Sequence, residues 1–73
     1  MHKAVFSVSL NSEQVLQFYK GMKNRVQVRT QSGQTMSIPY EHLLKYVTRE
    51  GIYGTFEITY DDFGNLGQLT KIS

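Results

Sequence analysis

Polar and apolar residues alternate along most of this chain, and the alternation marks its strands. From Lys3 to Leu10, Ala4, Phe6, Val8 and Leu10 share one face, with Val5, Ser7 and Ser9 on the other. A repeat of two is the signature of a half-buried strand. Asn11 or Ser12 then caps a helix, and a different pattern begins. Val15, Phe18, Tyr19 and Met22 recur at helical spacing and are expected to face the core. Asn11 with Gln14 three residues later fits a capping box, in which each side chain satisfies a free amide of the other's turn. Gly21 is a natural stop, since glycine accepts the left-handed conformation at a helix end.

Alternation resumes from Arg25 to Thr30, with Val26 and Val28 inward and Arg25, Gln27 and Arg29 outward. Ser32-Gly33 signals a hairpin turn. The partner strand, Gln34 to Ile38, turns Met36 and Ile38 inward. Pro39 ends it, because proline cannot donate to a ladder, and can open a helix at its first turn. Tyr40 to Val47 reads as a short helix with Leu43, Leu44 and Val47 on its apolar side. Gly51 and Gly54 bracket Ile52 and Tyr53, a glycine-permitted turn feeding a fourth strand over Ile52 to Tyr60. Asp61, Asp62, Gly64 and Asn65 form a turn before a fifth strand, Leu66 to Ile72. Leu66, Leu69 and Ile72 do not alternate, which predicts a bulge near Gly67.

These elements define one α+β domain spanning residues 1–73. A curved antiparallel sheet of about five strands, open to curling into a small partly open barrel, carries one N-terminal helix and a short helix between strands 3 and 4. With 73 residues the chain buries only about 60% of its unfolded surface. It has no cysteine, hence no disulfide and no thiolate metal site or nucleophile. Five tyrosines and four phenylalanines supply much of the area to be buried. No apolar run approaches the roughly 20 residues of a membrane span. The start lacks a basic stretch followed by an apolar core, so no signal peptide is predicted and the cytoplasm is expected.

The order of features resembles a family of short bacterial proteins, that of domain of unknown function twenty-eight thirty-five. The resembling residues are Gln17 to Gly21 (QFYKG), Val26 and Val28 ahead of Ser32-Gly33, Ile38-Pro39, Leu43-Leu44, and Val47 to Ile58 (VTREGIYGTFEI). The resemblance covers nearly the whole chain. Its motifs are structural, and it implies no established activity and no catalytic residues to carry over.

Charge adds a direction to this picture. Residues 1–40 carry five cations against Glu13, a net of +4; residues 41–73 carry three cations against five acids, a net of −2. The basic end centres on Lys20, Lys23, Arg25 and Arg29, beside Tyr19 and Gln27. Arg25 and Arg29 share the outward face of their strand, about 13 Å apart at about 3.3 Å per residue. That spacing suits successive phosphates, and an outward aromatic such as Tyr53 suits base stacking. The competing reading is a solvated sheet face whose charge guards an edge strand.

Candidate chemistry is sparse. His42 between Glu41 and Leu43 is no chelate, because helical neighbours point in different directions. Asp61-Asp62 reads as turn chemistry. Gly51 and Gly54 have the spacing of an RNA-clamping loop, but a strand follows and no cation lies between them. No cofactor, metal or catalytic residue is predicted. The leading expectation is a non-enzymatic protein-interaction module that self-associates as a homodimer, or meets another protein, through Tyr53, Thr55 and Thr59. The alternative is a weak nucleic-acid-binding module using Lys20, Lys23, Arg25 and Arg29.

Overall fold

The computed structural model describes all residues, Met1–Ser73. The chain runs β1 (His2–Asn11), α1 (Ser12–Tyr19), β2 (Arg25–Arg29), β3 (Thr35–Pro39), a 3₁₀ helix (Tyr40–Tyr46), β4 (Gly51–Tyr60) and β5 (Leu66–Lys71). The α+β class and the five strands agree with the reading of the sequence. The single five-stranded sheet does not. Two antiparallel sheets form, one ordered β1-β4-β5 and one made of β2 and β3 alone, and neither closes into a barrel.

The division follows from how β1 is used. It pairs with β4 over ten consecutive residues, from His2 opposite Tyr60 to Asn11 opposite Gly51. Its other edge meets the hairpin only at its end, through a bridge between Phe6 and Thr30 and a hydrogen bond from the Gln31 N–H to the Val5 carbonyl at 2.8 Å. Thr30 is buried there, and its hydroxyl accepts the Gln34 N–H at 3.2 Å. The hairpin therefore packs over the core face of the larger sheet instead of extending it.

The core lies between these layers. Ala4, Phe6, Val8, Ile52, Phe56 and Ile58 come from one face of β1 and β4; Val26, Val28 and Ile38 come from the hairpin. Phe6 and Phe56, directly opposite in register, stack at 6.0 Å between ring centres. Val15 enters from α1 and Leu43 from the 3₁₀ helix.

Both halves of the capping box form: the Asn11 carboxamide oxygen accepts the Gln14 N–H, and the Gln14 side-chain oxygen accepts the Asn11 N–H, each at 2.9 Å. The inward face of α1 is narrower than its sequence implies. Val15 and Phe18 face inward, but Tyr19 is 69% exposed and Met22 73%. The helix ends at Tyr19, so Met22 falls beyond the last turn, and Tyr19 lies about 100° round the axis from Phe18.

The second helix is 3₁₀ throughout. Its repeat of three places Tyr40, Leu43 and Tyr46 on the core side. Leu44, expected inward, is exposed. Gly51 and Gly54 belong to β4 itself rather than to a preceding turn, with φ of +125° and +150°. The expected bulge is present. Opposite the step from Ile58 to Tyr60, β5 takes one residue more, from Leu69 to Leu66. The Thr59 hydroxyl accepts the displaced Gln68 N–H at 2.9 Å.

No helix is long and apolar enough to cross a membrane.

Candidate functional site

Strand pleating puts Tyr53, Thr55, Glu57 and Thr59 on the face of β4 opposite the core. Register brings Ser9, Ser7, Val5 and Lys3 of β1 beside them. Every core residue of β1 and β4 points the other way, and α1 and the hairpin pack on that other side. The outer face of β1-β4-β5 is therefore uncovered. Tyr53 is 46% exposed upon it, and Ile72 is exposed beyond the end of β5.

The three residues expected to form a partner surface share this face but differ in availability. Thr55 shares a hydrogen bond with the Ser7 hydroxyl at 3.2 Å. Thr59 serves the bulge of β5. Tyr53 makes no side-chain hydrogen bond within the chain, so its ring and hydroxyl are both free. Lys3 and Glu57 form an ion pair at 3.8 Å, which leaves the face nearly neutral.

The four basic residues separate into two groups. Arg25, Gln27 and Arg29 lie outward on β2 as expected. Arg25 reaches across to β3: its Nε donates to the Ser37 hydroxyl at 2.7 Å and an Nη to the Ser37 carbonyl at 3.1 Å. That fixes the guanidinium and leaves three of its five N–H donors free. Lys20 caps the end of α1, its backbone N–H donating to the Leu16 carbonyl at 3.0 Å while the next N–H, of Gly21, donates to the Phe18 carbonyl at 3.1 Å. The ion pairs of the chain are His2 with Asp62 and Lys3 with Glu57, so none of the four cations has a carboxylate partner.

Lys23 and Arg25, but not Lys20 or Arg29, line an open cleft of about 430 Å³. Its opposite wall is the first two turns of the 3₁₀ helix, with Tyr40, Glu41 and Leu44. Reading the sequence missed this wall, because Tyr40 meets α1 only in the folded chain. There its ring lies parallel to Phe18 at 4.6 Å. The spacing of Tyr40, Leu43 and Tyr46 carried the available signal. Tyr40 is 8% exposed and its hydroxyl, fully buried, has no hydrogen-bond partner. Burial raises its pKa, and the neighbouring Tyr19 adds to the rise.

The histidines lie apart from this cleft. His2 stacks on Tyr60 at 5.2 Å and bonds to Asp62. His42 is half-buried on the 3₁₀ helix beside a second cleft of about 360 Å³. No three metal-binding side chains converge. Asp61 closes its turn through bonds from the Asn65 side chain, the Asn65 N–H and the Phe63 N–H. The Asn65 side-chain amide is the largest cause holding its carboxyl below the usual range.

These features define a small α+β domain whose distinguishing chemistry is carried on open surfaces. Residues 2–72 match the family model described as protein of unknown function (DUF2835), and the chain belongs to that family. No curated protein and no solved structure matches it.

Proposed function

We propose that the domain is a non-enzymatic protein-interaction module that pairs with a second copy of itself through the outer face of β1-β4-β5. The observation that carries this reading is the uncovered face with the free Tyr53 upon it. Tyrosine offers apolar area and a hydroxyl together, and is enriched at interfaces for that reason. A face that meets its own copy does so most often about a two-fold axis.

Size bounds the strength. β1 and β4, each about 33 Å long, and β5, about 20 Å long, lie about 4.8 Å apart and together present roughly 400 Å² per partner. That is half the area of a standard interface, so the dimer is transient rather than obligate. Sedimentation equilibrium over a wide concentration range tests it. Mass should rise above 8.4 kDa at high micromolar concentration, and Tyr53→Glu should abolish the rise. A single 8.4 kDa species throughout ends the proposal.

A second reading, weak nucleic-acid binding, has one observation in its favour: Lys20, Lys23, Arg25 and Arg29 are exposed and unpaired with any carboxylate. Four phosphate contacts on a duplex give a salt slope no steeper than about −3.6. Fluorescence anisotropy at low salt reads this slope. Equal binding by the Arg25→Glu/Arg29→Glu variant removes the reading.

A further inference from the structure

The cleft beside Lys23 and Arg25 has the attributes of a built site. Its two walls are tied together. The Asn24 carbonyl, leading into β2, accepts the N–H of Tyr40 at 3.0 Å, and the Phe18 ring of α1 stacks on Tyr40 with 7° between planes. Its volume of about 430 Å³ falls within the range of small-ligand pockets. The lining divides into an apolar part, with Phe18, Tyr40 and Leu44, and an exposed charged part, with Lys23, Arg25 and Glu41. Two cations against one acid leave it net positive. Arg25 is already oriented by Ser37, so less side-chain entropy is lost when it binds.

We propose that this cleft binds a small organic anion, a carboxylate or phosphate carried on a compact apolar body. Lys23 and Arg25 hold the charge, and Phe18, Tyr40 and Leu44 cover the apolar part. Glu41 opposes the anion and limits its affinity. The site is independent of self-association, because it lies on α1, the segment entering β2 and the 3₁₀ helix, and not on the outer face of β1-β4-β5.

The test is a titration of ¹⁵N-labelled full chain with phenyl phosphate and, separately, phenylacetate, followed by amide chemical shifts. Inorganic phosphate is the charge-only control. Probes of this size bind with Kd on the order of millimolar. At least one aromatic probe should produce saturable shifts confined to residues 18–25 and 39–44. Inorganic phosphate should bind at least tenfold more weakly. Lys23→Gln/Arg25→Gln should weaken the probe at least tenfold, and Glu41→Gln should tighten it several-fold. All these substitutions are at exposed positions, and the same spectra report whether each variant is folded. Shifts that fail to saturate for both probes overturn the proposal. So does equal binding of inorganic phosphate, or a response centred on Arg29, since either marks general charge screening rather than a site.

Discussion

Gly51 is pressed against the backbone of Leu10, the residue preceding its partner Asn11 in the β1-β4 ladder. A β-carbon at Gly51 would overlap the Leu10 carbonyl oxygen and lie 2.9 Å from the carbonyl carbon of Asn11. Both obstacles are main chain, so no side-chain rotation relieves them. Gly33, in the β2-β3 turn, also has positive φ, +91°, but a β-carbon there meets open space.

The pair predicts a graded response. Gly33→Ala should cost about 1 kcal/mol, the strain of a left-handed residue alone. Gly51→Ala should cost at least about 3 kcal/mol, since strain and overlap combine. Urea unfolding followed by circular dichroism measures both, and equal losses would show that the overlap is relaxed at no cost.

Tyr40→Phe should stabilise the domain. The ring keeps its stack on Phe18, and a buried hydroxyl without a partner is removed. Removing such a group recovers about 1 kcal/mol. A loss of stability instead would reveal a bond that the hydroxyl makes in solution.

The same residue predicts an alkaline signature. The folded state raises the Tyr40 pKa, through burial first and Tyr19 second. The contribution is fully present below the unfolded value near 10.0 and is lost as pH rises towards the folded one. Wild type should therefore lose more stability than Tyr40→Phe on passing from pH about 7 to above pH about 10. Parallel curves for the two proteins would contradict this.

Asp61 acts at the other end of the scale. Its folded pKa is depressed below 3.8, mainly by the Asn65 side chain. Its contribution is present above the unfolded value and is lost as pH falls through the folded one. In an NMR titration, Asn65→Ala should move the Asp61 midpoint upwards. An unchanged midpoint would assign the depression to the backbone donors alone.

Thr59→Val should loosen the bulge of β5. The variant keeps the shape but removes the acceptor of the Gln68 N–H. A loss of about 0.5–1.5 kcal/mol is expected, with faster hydrogen exchange at Gln68.

Local patterns were legible in the sequence because their causes are local. The capping box of Asn11 and Gln14, the Ser32-Gly33 hairpin and the unpaired residue near Gly67 each follow from neighbours a few positions apart. The division into two sheets was not legible. Alternation marks Phe6 and Val28 equally as strand residues, but nothing local says that β1 meets β4 along its length and the hairpin only at Thr30. The apolar residues after Pro39 fit an α-helical period that turns Leu44 inward, whereas the three residues per turn of the 3₁₀ helix turn Tyr46 inward instead. Of the candidate site, the outward positions of Tyr53, Thr55, Thr59, Arg25 and Arg29 were readable from pleating alone. The cleft was not, since its walls come from separate segments that meet only in the folded chain, through the Phe18–Tyr40 stack and the Asn24–Tyr40 hydrogen bond.

The long ladder between β1 and β4 also sets the order of events in time. Each of its pairs joins residues more than half the chain apart. Closing so large a loop costs entropy before any pair repays it, so non-local pairing of this kind is slow. On a growing chain, β1 has no β4 to pair with until synthesis passes Tyr60, whereas α1 and the β2-β3 hairpin need only their neighbours. β1, made before β4, is thus among the last of these strands to gain its partner, and until then its apolar face waits uncovered.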